Sequence, residues 1–275
     1  MKQIPNPNVS VAFDEDTKRL MRTGPLVMDE ADSFAVETAL RLADQAGGGQ
    51  VTLVSVSPDS EVDGLRAALA IGGDKAIVVS DPALAGTDAL GTSKVLAAVA
   101  KRENADLVIT ATESTDGYTG TVPVQMAELL GYPSVSFVRS VSVNGDALEI
   151  HRQTDSGYDE IACPLPAVIS VTNGVVDVRY PTFKAKMAAK KKPIEELDIE
   201  SLGMDPATVG AQAARQEVLA IRGGDDETAN ASAAPAFALV FGANEADTKD
   251  EGNIITDDGD AHDTVIQTLQ SWRAL

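Results

Sequence analysis

Between Glu113 and Val122 the chain sets two glycines, Gly117 and Gly120, among Ser114, Thr115, Asp116, Thr119 and Thr121. The loop follows the carboxyl end of a predicted strand and opens a predicted helix. Ligands of open α/β sheets bind at that edge, where free backbone N–H groups and the helix dipole favour a phosphate. The same residues also suit an ordinary connection whose threonines cap the helix, because no Walker or G-x-G-x-x-G spacing is present. A second polar group, Asp29-Glu30-Ala31-Asp32, precedes the first predicted helix and reaches the same edge if the segment before it runs through the sheet. Acids at a helix N-terminus need no ligand to explain them. Cys163 lies in a predicted strand and reads as a small buried residue. His151 at a strand end and His262 in an acidic stretch read as solvated. With one cysteine, two histidines and no H-E-x-x-H spacing, disulfides, cysteine metal cages and histidine triads have no basis. No carboxylate pair stands out for acid/base work.

From Arg179 to Pro193 five lysines and one arginine fall in fifteen residues, with Tyr180 and Phe183 near the head. The rest of the chain is acidic, so this cationic segment reads as a surface for a partner. A nucleic-acid patch is disfavoured, since interleaved aromatics and a second basic element are missing.

The elements that carry these residues follow from hydrophobic periodicity. Val36, Ala39, Leu40 and Ala43 recur at helical spacing between Asp32 and Ala46, with Asp32 or Ser33 as cap and Gly47-Gly48-Gly49 as the stop. Val51–Val56 reads as a buried strand, and a helix carrying Val62, Leu65 and Leu69 stops at Gly72-Gly73. Ala76–Val79 is a strand, 92–102 a helix, Leu107–Thr112 a strand, and 121–130 a helix ended by Gly131. Continuous apolar strands alternating with helices predict an α/β, doubly wound, mostly parallel sheet of Rossmann-like form. After Pro133, strands 134–143 and 147–152 flank the hairpin signal Asn144-Gly145-Asp146, and further strand-like runs are 161–163 and 166–171. The expected organisation is a core over residues 1–203 and an acidic linker with a C-terminal helical arm over 204–275. That arm ends in an amphipathic helix, 263–275, bearing Val265, Leu269 and Trp272.

A net charge of −20 on 275 residues, with only 4% aromatics, argues against general binding to nucleic acid or anionic membranes. It fits a protein kept hydrated in concentrated salt, which predicts a halophile's cytoplasm. Met1–Pro7 lacks the apolar region of a signal peptide, and no run approaches the roughly 20 apolar residues of a membrane span.

Several segments, in order, resemble the beta subunit of electron-transfer flavoproteins. They are Lys2-Gln3-Ile4-Pro5, the run Phe34–Leu42, the run Arg66–Ala76, the loop Asp116–Val122, the run Ile150–Ile161 followed by Pro166–Ser170, and Arg179-Tyr180 with Lys184–Lys192. The resemblance implies a heterodimer in which an alpha subunit holds most of one FAD while the beta subunit buries an AMP. By position it implies AMP contacts at Asp29, Glu30, Ala31, Asp32, Val56, Ala111, Thr112, Asp116, Gly117, Thr119, Gly120, Thr121 and Val122. It also implies that Arg179, Tyr180, Phe183, Lys184, Lys186, Lys190, Lys191 and Lys192 form a recognition loop for a partner dehydrogenase, with Phe183 as the anchor. The partners implied are acyl-CoA or other flavin dehydrogenases and a membrane quinone oxidoreductase or other acceptor, and the role is that of a carrier without turnover of its own. Tyr118 stands where bifurcating relatives, which bind a second FAD, often have an acid, and so favours AMP. The family usually carries a short apolar central strand ahead of Lys-Gln-Ile-Pro, which leaves either an earlier start or an absent strand. A stand-alone adenine-nucleotide sensor of the same fold is the rival, though it needs neither a terminal arm nor a basic loop.

Overall fold

The computed structural model describes residues 1–8, 12–14, 17, 19–22, 24–216 and 218. The expected terminal helix, the acidic linker and His262 lie outside them. Contacts gather the described residues into one compact unit.

The chain runs through β1 (Gln3–Pro5), β2 (Phe13–Asp14), β3 (Arg19–Leu20) and β4 (Leu26–Met28) into helix α1 (Glu30–Gln45). It continues with β5 (Thr52–Val56), α2 (Asp63–Ile71), β6 (Lys75–Val79), α3 (Ala89–Arg102), β7 (Leu107–Ala111) and α4 (Val122–Leu130). The strand–helix alternation expected from periodicity is therefore present, and the pairs β5–β6, β6–β12 and β7–β11 are parallel, where β11 is Ala167–Val171 and β12 is Ile194–Leu197. Ala76–Val79 of β6 is at most 1% exposed, as befits a parallel strand covered on both faces. Helix α1 starts earlier than expected. Asp29, not Asp32, is the cap, because its backbone is extended and its side chain accepts from the Ala31 N–H at 3.2 Å.

Strand order shows what alternation alone does not. One sheet runs β12-β6-β5, and a second runs β10-β9-β8-β11-β7, with β8 (Ser134–Asn144), β9 (Ala147–Thr154) and β10 (Gly157–Pro164) as an antiparallel meander. Its first turn is the one the Asn144-Gly145-Asp146 signal predicts, with Gly145 at φ 63°. No strand among the described residues lies between β5 and β7, the central place at which a further apolar strand is expected. A cavity of about 650 Å³ occupies that interval, lined by Ala35, Val36, Val54, Ile109 and Met126 among others.

The basic run carries structure that its composition conceals. Thr182 accepts from the Ala185 N–H at 3.1 Å and caps a short helix, α5 (Phe183–Ala189), whose Ala189 packs into the core beside α2. Its lysines mask an alanine-rich face.

Candidate functional site

Three connections meet at the carboxyl edge of the strands, and the first residues of the chain tie them together. The Lys2 N–H donates to Asp32 Oδ2 at 2.6 Å, and the Asp29 N–H donates to the Lys2 carbonyl at 3.2 Å, so β1 is fastened to the start of α1. Gln3 is 2% exposed. Its Oε1 accepts from the N–H groups of Gly64 (2.8 Å) and Leu65 (3.3 Å), and its amide donates to the Glu61 carbonyl at 2.6 Å. Val62, the N-cap of α2, makes no side-chain cap bond, so Gln3 satisfies that helix end from sixty residues away. Gly64 permits the approach: a Cβ there would lie 2.8 Å from Gln3 Cγ and 2.9 Å from the Met28 nitrogen.

The loop after β7 is held from the same side. Asp29 is 1% exposed, and its Oδ2 accepts from the Thr115 N–H at 2.7 Å and the Thr115 hydroxyl at 3.0 Å. Asp116 forms ion pairs with Lys2, at 2.5 Å, and with Arg22, whose guanidinium also donates to the Gln3 carbonyl at 3.0 Å. Lys2 Nζ donates to Ser114 Oγ at 3.2 Å. Burial works against ionisation of Asp116, but Lys2 and Arg22 outweigh it and hold its carboxyl below the ordinary aspartate range. Asp32 behaves oppositely: burial dominates and pushes its carboxyl up, despite the terminal ammonium and the Lys2 N–H.

The geometry brings the sequence-predicted positions into two groups. Asp29 and Asp32 are tied through Thr115 and Lys2 to the loop that carries Asp116; Ala111 ends β7 just before that loop, Glu30, Ala31, Thr112 and Gly117–Val122 flank these residues along the chain, and Val56 ends β5 next to buried Ser57. Thr112 Oγ1 is turned inward to the Val171 carbonyl at 3.0 Å. The capping alternative for the loop fails at its key residue. Thr121 is the N-cap of α4, yet its hydroxyl makes no cap bond and is buried without a hydrogen-bond partner among the described residues. The Ser57 hydroxyl is in the same condition. Ser55 and Ser170, inside strands, share that condition, and of these hydroxyls only that of Thr121 belongs to the glycine-bearing loop, where it suits a polar ligand. Gly120 sits at φ 60° with only Glu113 Oε2 near its missing Cβ, at 3.5 Å, so its conformation rather than crowding requires glycine. Lys2, Gln3 and Arg22 were not among the expected site residues. Their spacing from the loop, 112 and 94 residues for Lys2 and Arg22, carries no local signal.

The basic segment forms the second group. Tyr180 is 84% and Phe183 80% exposed, Met187 is also exposed, and Lys186 stands 5.0 Å over the Tyr180 ring. Lys184, Lys186, Lys190 and Lys191 face solvent. Two cations also make bonds to the body of the protein. Arg179 binds the buried carboxylate of Glu37, and Lys192 Nζ donates to the Gly73 carbonyl. Elsewhere, Cys163 is buried, and burial pushes its thiol up, so it is not primed as a nucleophile. His151 is partly exposed, stacked on Tyr158 at 4.8 Å and 3.8 Å from Glu160. Among the described residues no group of histidines, cysteines and acids is set to hold a metal, and no helix is long and apolar enough to cross a membrane.

The sequence is similar to those of known proteins. A family profile described as an electron transfer flavoprotein domain matches residues 17–202. The electron transfer flavoprotein subunit beta of Mycobacterium bovis is 34% identical over 281 aligned positions that take in the whole chain and 97% of that protein. Its counterpart in Thermoanaerobacterium thermosaccharolyticum is 34% identical over 80% of the chain and 85% of its own length. The caffeyl-CoA reductase-Etf complex subunit CarD of Acetobacterium woodii is 32% identical over 79% of the chain and 83% of its own length. A doubly wound fold, a loop network at its carboxyl edge and full-length similarity of this order place the chain in the electron transfer flavoprotein family, as an electron-transfer subunit of the beta type.

Proposed function

We propose that this chain pairs with an alpha subunit, holds AMP at the carboxyl edge of its sheet and helps enclose an FAD carried mainly by that partner. The observation that supports the AMP reading is the loop 113–122: it is braced by Asp29, Lys2 and Arg22, and it leaves the Thr121 hydroxyl buried and without a partner among the described residues. FAD, when bound, accepts and releases electrons one or two at a time, which suits a carrier between dehydrogenases and an acceptor. The residues of this chain supply no flavin fingerprint, so its part is to hold the nucleotide, brace the loop and present a docking surface. We read Arg179–Lys192 as that surface, with Phe183 as the anchor for acyl-CoA or other flavin dehydrogenases. A membrane quinone oxidoreductase is the acceptor class consistent with such donors, and the acidic composition suits a halophile's cytoplasm.

The chain purified alone is expected to be colourless, and co-expression with its alpha subunit should yield a yellow, fluorescent complex. Absorbance at flavin wavelengths in the two preparations decides it. Stoichiometric flavin in the isolated chain would contradict the shared-cofactor reading.

A further inference from the structure

The docking segment leaves the body of the protein through two internal clamps. At its start, Glu37 on the third turn of α1 is 2% exposed, and its carboxylate receives four donors. Arg179 Nε reaches Oε2 at 2.7 Å, the Arg179 side-chain N–H₂ reaches Oε1 at 3.1 Å, its backbone N–H lies 3.4 Å from Oε2, and Arg41 Nε reaches Oε1 at 2.8 Å. Arg41 also donates to the Asp177 carbonyl at 2.6 Å, so both arginines pin the chain entering the segment. At the far end, Arg66 on α2 donates to the carbonyls of Ala189 (3.0 Å) and Lys192, while Lys192 itself donates to Gly73. Between the clamps the segment turns outward and exposes Tyr180, Phe183 and Met187.

We infer that Glu37 is a positioning residue for docking: through Arg179 it fixes the exit angle of the segment, so that a partner meets Phe183 already in place. This rests on the reading of Arg179–Lys192 as the docking surface and deepens it. The chemistry favours a positional role for this pair. A bidentate guanidinium–carboxylate bond has a fixed plane, and a carboxylate buried this far is retained only when its charge is matched. Arg179 spends its fork on that bond and has little left for a partner. An unpinned segment would have to be ordered at each encounter, which weakens affinity without touching the electron-transfer step.

The test uses the alpha–beta complex with an acyl-CoA dehydrogenase from the same organism, its concentration varied, and bleaching of a dye as the readout. Glu37→Gln and Arg179→Gln should each raise KM for the dehydrogenase roughly tenfold, with kcat and nucleotide content near those of the parent; melting temperature should stay near the parent's in Glu37→Gln and fall in Arg179→Gln, which leaves the buried carboxylate under-matched. The double variant should be no worse than either single one, because one bond is lost only once. Arg179→Lys keeps the charge but not the fork, and it should resemble Arg179→Gln. If Phe183→Ala weakens docking while Glu37→Gln does not, the positioning role is wrong and the docking surface stands. If neither variant changes KM, the docking reading fails and takes the inference with it. Parallel loss of melting temperature or nucleotide in Glu37→Gln would reduce Glu37 to a merely structural residue. Should that variant fail to fold, Arg179→Gln, on the solvent side of the pair, decides the matter alone. Docking unchanged in Arg179→Lys, with loss only in Arg179→Gln, would show that the charge itself touches the partner and would overturn the inference.

Discussion

Phe183→Ala is expected to weaken docking of the partner dehydrogenase by roughly 30-fold or more, while heterodimer formation and flavin content stay intact. An aromatic anchor at the centre of an interface is worth about 2 to 4 kcal/mol. Phe183 is 80% exposed in the first turn of α5, so nothing among the described residues packs on the side chain, and removing it leaves no cavity among them. Its loss should therefore appear in binding and not in stability. Charge reversal at Lys190, Lys191 and Lys192 should matter less for steering, since at multimolar salt the Debye length is about 3 Å or below. Lys192 carries a separate cost through its bond to Gly73, which should register in the melting temperature. Steady-state dye reduction with the dehydrogenase varied at high salt measures the first effect. Normal docking by the Phe183 variant, with failure of the lysine variant, would identify an electrostatic site instead.

Asp29→Ala should have the next largest effect, on nucleotide retention. The Asp29 carboxylate joins the loop after β7 to the start of α1 through two bonds to Thr115 and one to Ala31. Hydrogen bonds to a buried charged group contribute about 1.5 to 3 kcal/mol, and a lost N-cap about 1 more. Removing them frees Thr115 and lets the 113–122 loop drift from the position set by Lys2 and Arg22. Bound AMP, quantified by chromatography after denaturation, should fall by about tenfold or more, and the melting temperature should drop with it. Asp29→Asn keeps one acceptor oxygen and should recover part of both. AMP content unchanged in the alanine variant would show that the loop holds its form without this brace.

Much of this arrangement was legible in the residues, for identifiable reasons. Apolar runs alternating with helical spacing expose the order of elements, and the rule that ligands sit at the carboxyl edge then places Asp29–Asp32 and the 113–122 loop together. Periodicity carries no information on pairing between distant strands, so the division of β5–β12 into two sheets, with β5 and β7 facing a cavity, was not visible. Lys2, Gln3 and Arg22 escaped for the same reason: their roles lie in bonds spanning 19 to 112 residues. Within the basic segment, charge alone cannot distinguish a lysine that faces solvent from a cation that turns inward. Arg179 stays half exposed yet binds Glu37, 142 residues earlier, because that carboxylate is buried and needs a counter-charge. Thr182 followed by Ala185, Ala188 and Ala189 is the cue that would have revealed α5.

The central claim is that this chain binds one AMP and shares one FAD, and nucleotide content tests it most directly. The purified alpha–beta complex is denatured, and the released nucleotides are separated and counted against protein. The account predicts one FAD and one AMP per heterodimer, with no flavin in the chain expressed alone. Two FAD and no AMP would contradict it and identify a bifurcating-type subunit, and a complex releasing FAD but no adenine nucleotide beyond it would show that the braced loop holds no ligand.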